Sequence, residues 1–295
     1  MFDIFGVPIA ALLPQLTVGL VNGSFYALLS LGLAIIFGLL GLVNFAHGAL
    51  YMMGAMVAWM LFNYLGIGYW WALALAPLIV AAFGILLERT IIRRTYDMDH
   101  MYGMLLTFGL TLMITSAFRY FYGVSGMPYD VPEVFSGAYD LGFMMMPKYR
   151  AWVIVCSLIV CFGTWYVIER TRLGGYLRAA TENPALTQAF GINVPRIVTL
   201  AYAFGVSLAA LGGVLAAPIL QVSPLMGDLV LISTFAVVVI GGFGSIFGAI
   251  VTGLGIGLVE ALAKVYWAEA SGTVVFVIML AVLALRPAGL FGKEA

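Results

Sequence analysis

Charge is scarce in this chain. Only 9% of its residues are charged, and the 13 basic residues balance the 13 acidic ones. Soluble domains carry about 25%. No long polar stretch exists from which to build a separate soluble domain, and no net charge points to nucleic acid or to an acidic partner. Cysteine is almost missing. Cys156 and Cys161 lie five apart in one apolar segment, so on a helix they point in different directions and read as small packing residues, not as a metal site. Histidine is limited to His47, inside an apolar stretch, and His100, in a charged loop. Two histidines so far apart, with no H-E-x-x-H and no G-x-S-x-G, give no catalytic constellation for an intramembrane enzyme. There is also no G-x-x-x-x-G-K-[ST]; GLFGKEA near the C-terminus has the wrong spacing. If ATP drives this protein, it binds elsewhere. Aspartate is absent from the predicted spans and Glu260 is their one carboxylate candidate, which disfavours an ion-coupled secondary transporter or channel.

What is present is hydrocarbon. The chain is 64% hydrophobic with a mean hydropathy of +1.11. About 20 apolar residues span a bilayer as a helix. The runs Gly23–Leu40, Phe45–Phe62, Trp70–Leu87, Met101–Phe121, Ala151–Ile168, Ile197–Leu220 and Thr273–Leu285 fit that length or approach it. Gly241–Ser245 divides a longer run into Leu229–Ile240, short enough for a half-helix inside the bundle, and Ile246–Tyr266. Ile4–Leu20 reads as one more short span, weakened by Pro14. The expected fold is all-α: one transmembrane domain over residues 1–295, a polytopic bundle of about 8–10 spans. The opening MFDIFGVPIAALLPQL lacks the features of a cleaved signal peptide, so no processing is expected.

Orientation follows from Lys and Arg. Arg89, Arg93 and Arg94, then Arg170, Arg172, Arg178 and Arg196, then Arg286 and Lys293, fall on one side if Leu229–Tyr266 makes two passes. That side is expected to be the cytoplasm. Glycines recur along the spans, as helices in lipid require for close approach. Tryptophans near the span ends read as an interfacial belt. Val43–Ala55 and Asp228–Gly242 share a weak pattern: a polar entry, an apolar run, a small-residue exit. Transporter halves often repeat in this way.

One segment breaks the apolar pattern. Residues 174–196 read GGYLRAATENPALTQAFGINVPR. Gly174–Gly175 offers a sharp exit from the preceding helix, and Tyr176–Thr181 an additional turn. After Glu182, Asn183 suits an N-cap, Pro184 the first helical position, and Gly191 the left-handed residue beyond the end. They predict a helix over Pro184–Phe190, too short to persist alone. Ala185, Leu186, Ala189 and Phe190 form an apolar stripe, and the helix carries no Lys or Arg. An interfacial helix resting on headgroups usually does. The stripe is expected to dock a soluble partner.

Polar residues within apolar spans are the other exceptions. Asn22, Ser24 and Tyr26 open one span; Asn44 and His47, three apart and so on one helical face, open the next; Ser207 and Thr234 lie deeper in the chain. These are the candidate pathway-lining residues; a packing or hydrogen-bonding role is the first expectation for His47, and capping back onto the helix competes for Ser207 and Thr234. Glu260 and Lys264 have the spacing of a structural ion pair.

GLVNFAHGALYMMGA, GGYLRAATENPALTQAFGIN, GGVLAAP, VVVIGGFGSIFGAIVTGLGIGLVEAL and RPAGLFG occur in this order across nearly the whole chain. Together they resemble the LivH-type permeases of branched-chain amino acid importers. The resemblance implies a type II ABC importer fold in the bacterial inner membrane and a coupling loop at 174–196. It also implies a second, LivM-like permease, two cytosolic ATPase subunits that bind ATP and Mg, and a periplasmic substrate-binding protein. This subunit itself would hold no cofactor and no metal. Permeases for urea, short amides and aromatic acids share the resemblance, so the small-molecule substrate stays open at this point.

Overall fold

The computed structural model describes residues 3–4, 7–41, 43–96 and 98–292. A small antiparallel pair, β1 (Asp3–Ile4) and β2 (Val7–Pro8), leads into α1 (Ile9–Leu40). Then come α2 (Ala46–Leu65), α3 (Tyr69–Thr90), a 3-10 turn at Ile92–Thr95, and α4 (His100–Tyr122). An antiparallel hairpin, β3 (Ala138–Asp140) and β4 (Met145–Pro147), precedes α5 (Lys148–Arg170). Two polar helices follow, α6 (Arg172–Glu182) and α7 (Pro184–Ala189). The chain closes with α8 (Val194–Leu220), α9 (Met226–Gly241), α10 (Ile246–Tyr266) and α11 (Ser271–Leu285). Among the described residues, eight helices are long and apolar enough to cross a membrane. The 16-residue α9 is a shorter apolar helix. The protein is a polytopic helical bundle.

The hydropathy reading separates Ile4–Leu20 from Gly23–Leu40; the structure joins most of both into the 32-residue α1. Pro14 sits inside it, near the start, where it removes one bond from a long ladder. At about 1.5 Å per residue, α1 is longer than the roughly 30 Å of hydrocarbon needs.

Small residues set the packing. Gly19 of α1 faces Ala261 of α10, Gly23 faces Leu254, and Gly253 faces Ala27, so the two helices run antiparallel along most of their length. A Cβ on Gly23 would stand 2.9 Å from the Leu254 carbonyl. Across α2 and α8, Gly54 meets the Ala210 backbone and Gly213 the Tyr51 carbonyl so closely that a Cβ would overlap them. Leu28, Leu29, Tyr51, Met52, Tyr202 and Leu215 fill the core around these crossings. Cys156 and Cys161 are free and buried.

The arginine groups gather at one end. Arg89, Arg93 and Arg196 border one pocket. Gly38, Ile168, Arg178 and Gly244 border another, which brings the ends of α1 and α5 to α6 and the start of α10. At the opposite end the Met127 and Val222 backbones pair, and Trp70, Phe135 and Trp152 pack ring against ring at 5.1–5.6 Å. After α11 the chain returns to α9: Leu290 N–H donates to the Ile240 carbonyl at 2.8 Å and Phe291 N–H to the Gly241 carbonyl at 3.1 Å. Carbonyls that a helix end leaves open are thereby satisfied. Gly242 turns there with φ 97°. Lys293 lies outside the described residues.

Candidate functional site

Two places stand out, one at the arginine end and one within the bundle. At the arginine end, α5 stops at Arg170 and the chain turns at Thr171, which is extended. The exit is therefore not at Gly174–Gly175; α6 runs straight through both, and through Tyr176–Thr181. Gly174 serves a different need: a Cβ there would overlap the Ile168 carbonyl, so its absence lets α6 fold back onto the end of α5. Arg178 holds that fold, donating to the Ile168 carbonyl at 3.2 Å and approaching Glu169 at 3.5 Å.

Glu182 ends α6, and Asn183 caps α7 by accepting from Leu186 N–H at 2.9 Å. Pro184 takes the first turn, and Gly191 has φ 82°. The helix ends at Ala189, one residue earlier than the spacing predicts, with Phe190 as its C-cap. Thr187 is buried and its hydroxyl lies 2.8 Å from both the Ala179 and Asn183 carbonyls, which ties α7 to α6. Everything on the other face is open: Ala185, Leu186, Ala189 and Phe190 are exposed, Phe190 by 77%. An anchored helix thus presents an apolar stripe outward, beside the cluster of arginines.

Behind it lies a group that the sequence reading overlooks. Glu88, near the end of α3, is fully buried. Its Oε1 accepts from the Tyr96 hydroxyl at 2.9 Å and its Oε2 from the Thr199 hydroxyl at 2.8 Å. Burial, and then the neighbouring Glu88 charge, push the Tyr96 phenol well up, so it remains a donor. Thr199 is in the second turn of α8, whose start is capped by Asn193 accepting from Arg196 N–H. The clasp fixes the far end of the exposed loop to α3. In sequence Glu88 adjoins Arg89 at a span edge and looks like ordinary surface charge.

The second place is a groove of about 450 Å³ between α4 and α9, floored by the entry to α2. Its walls are mostly apolar: Leu33, Val43, Phe45, Phe108, Leu231, Phe235. Asn44, Thr111 and Asp228 are its polar members. Residues 43–45 are not helical; Thr107 holds them, its hydroxyl lying 3.2 Å from Phe45 N and 3.4 Å from the Val43 carbonyl. Asn44 Nδ2 donates to the Tyr202 hydroxyl at 3.3 Å, and its Oδ1 accepts from Ala46 N–H. Gly227, in the first turn of α9, packs directly on the Gly48 backbone. The starts of the two segments that echo each other in sequence therefore meet, and Phe45 stacks on Phe235 at 6.5 Å.

Of the candidate pathway residues, Asn44 borders this groove. The others lie elsewhere. Asn44 and His47 do not share a helical face, because Asn44 precedes α2 and turns to Tyr202. His47 Nε2 donates to the Leu29 carbonyl of α1 at 3.0 Å, and its buried Nδ1 has no hydrogen-bond partner among the described residues. Ser24 and Thr234 are buried and bond back to the Leu20 and Val230 carbonyls of their own helices. Ser207 bonds back to Phe204. Asn22 is half-buried on α1. Tyr26 donates to Glu260 at 2.8 Å, and Glu260 pairs with Lys264 at 2.8 Å, the ion pair the spacing predicts. Thr111 and Asp228 complete the groove; neither is among the candidate pathway residues, although Asp228 is the polar entry of the repeated pattern, because each sits where an apolar run starts or continues.

Asp228 is the unusual member. It is exposed in the first turn of α9, next to a glycine pressed on α2. Its flanking wall on α4, Phe108 to Leu112, lies midway along a span. A carboxylate facing lipid at that depth costs about 2.5–3.5 kcal/mol, so such residues face a water-filled path or a protein partner.

The chain matches the family described as "branched-chain amino acid transport system / permease component" over residues 15–283. It is 28% identical over 296 residues to the high-affinity branched-chain amino acid transport system permease protein LivH of Escherichia coli K12, covering 95% of this chain and 96% of that protein. It is 30% identical, with the same coverage, to the corresponding permease protein BraD of Pseudomonas aeruginosa. It is also 26% identical over 254 residues to the permease protein LivM of Escherichia coli K12, covering 78% of this chain and 59% of that protein.

Proposed function

This chain belongs to the branched-chain amino acid transport permease family, and from that membership we propose that it forms half of the translocation pathway of an ABC importer for branched-chain amino acids. It is a multi-pass membrane transport subunit. The energy comes from outside it. Two cytosolic ATPase subunits bind ATP and Mg, a LivM-like permease supplies the other half of the path, and a periplasmic binding protein delivers the substrate. The membrane is the bacterial inner membrane, with the arginine-rich end in the cytoplasm. Similarity to both LivH and LivM supports a pairing of related but distinct permeases.

The observation that carries this reading is α7. A two-turn helix cannot hold itself together in water. This one is held by Asn183 and Thr187 so that Leu186 and Phe190 face outward with no described residue to cover them. Such a knob fits a groove on a motor subunit, and the Glu88 clasp gives a stiff route from the loop into α3 and α8. Substituting both residues, Leu186→Asp and Phe190→Asp, is expected to abolish pull-down of the ATPase subunits and to reduce ATP-driven leucine uptake in proteoliposomes to background. Association and uptake at wild-type levels would refute the coupling role.

A further inference from the structure

We propose that the groove between α4 and α9 is a wall of the translocation path, and that the Asp228 carboxylate receives the ammonium group of an amino acid there. The ammonium assignment rests on the importer reading above and adds to it a residue and a place.

Depth comes first. His47, beside the start of α2, bonds to Leu29, nine residues inside the arginine end of the α1 span Ala11–Gly38. Gly227 packs on Gly48, the next residue. Asp228 therefore stands well inside the bilayer, not at its rim. Partnering comes second. No hydrogen bond or ion pair ties its carboxylate to another described side chain, whereas Glu88 and Glu260 are both satisfied within the subunit. An unpaired, exposed carboxylate at this depth needs water or a cation opposite it.

The rest of the groove narrows the cation to one class. Leu33, Val43, Phe45, Phe108 and Leu231 offer a hydrocarbon surface to a branched side chain. Asn44 borders the groove but is buried, its amide donating to Tyr202 and its oxygen held by Ala46 N–H, so it shapes that wall without reaching out to a substrate. The start of α2, interrupted from α1 by residues 43–45, adds the positive end of a helix on the same side. One acid, the positive end of a helix and an apolar wall match an α-amino acid with an aliphatic side chain. An uncharged amide offers the acid a hydrogen bond but no charge to neutralise it, and a dicarboxylate is repelled by it.

The test uses the assembled importer, with its partner permease, ATPases and binding protein, in proteoliposomes and radiolabelled leucine as the probe. Asp228→Asn is expected to lower leucine uptake by about tenfold or more, the loss of one charge-assisted contact, while Asp228→Glu retains much of it. In a second arm, Asp228→Cys is placed in a background with Cys156→Ser and Cys161→Ser. It is expected to react with a membrane-impermeant thiosulfonate, and leucine delivered by the binding protein is expected to slow that reaction. If Asp228→Asn fails to assemble, this arm decides. Wild-type uptake by Asp228→Asn, or a Cys at 228 that stays unreactive in the assembled importer, overturns the assignment and leaves the importer reading standing. A wild-type importer that takes up no leucine overturns the importer reading, and the ammonium assignment with it, while reactivity at 228 would still place the groove on a water-filled path.

Discussion

The seam where α2 crosses α8 and the groove between α4 and α9 follow opposite rules. In the seam, side chains are removed so that backbones touch: Gly54 against Ala210, Gly213 against Tyr51. In the groove, bulky side chains face open space, with Phe108, Leu112 and Ile232 each at least half exposed. The seam has no room for a methyl group; the groove has room for a small molecule. Lipid gives helices no hydrophobic reason to associate, so close backbone approach is what holds a bundle together. A bundle built this way can leave one face unfilled, provided another component fills it. The difference separates a seam closed by backbone contact from a groove left open between helices.

That contrast can be broken by substitution. The largest effect is expected from Gly213→Leu, which drives a side chain into the Tyr51 carbonyl and leaves no rotamer free. A loss of about 3 kcal/mol or more would appear as poor yield of folded protein and a lowered thermal midpoint in detergent; an unchanged midpoint would show that the seam is not tight. Next is Glu88→Ala, which removes the acceptor of the half-buried Tyr96 hydroxyl and leaves the buried Thr199 hydroxyl only the Pro195 carbonyl of its own helix. Destabilisation of roughly 2–3 kcal/mol is expected, with Glu88→Gln losing less, measured by the same midpoint. The smallest is Gly255→Ala. On the same helix as Gly253 and Gly257, Gly255 has nothing within 4 Å of its missing Cβ. Its replacement is expected to be neutral or to stabilise α10 by up to about 1 kcal/mol. A marked loss there would mean that glycine content, not position, governs the seam.

Much of the bundle was legible from hydropathy, because a bilayer demands long apolar runs and tolerates few alternatives. Ile246–Tyr266 agrees with α10 residue for residue, and the short run after Leu229 reads correctly as a truncated helix. The ends of α7 were legible for a different reason: Asn183, Pro184 and Gly191 act within a few residues of themselves. What local rules cannot reach was missed. Pro14 looks like a boundary until α1 is seen as one continuous helix. Gly174–Gly175 looks like a hinge until the Ile168 carbonyl is seen against Gly174. The spacing of Asn44 and His47 implies a shared face only if α2 begins early enough, and it begins at Ala46. Glu88 and Asp228 sit at the edges of apolar runs, where charge is ordinary; only the fold shows one sealed and the other facing the groove.

The return of residues 288–292 to α9 also sets an order of assembly. The carbonyls of Ile240 and Gly241 find their donors in Leu290 and Phe291, which leave the ribosome after α10 and α11 have been made. Until then, those two carbonyls lack these donors. The capped carbonyls belong to residues 240–241 and the groove residues lie at 228–235, so this last step of synthesis seals the arginine end of α9 after the helix wall of the groove has already been made.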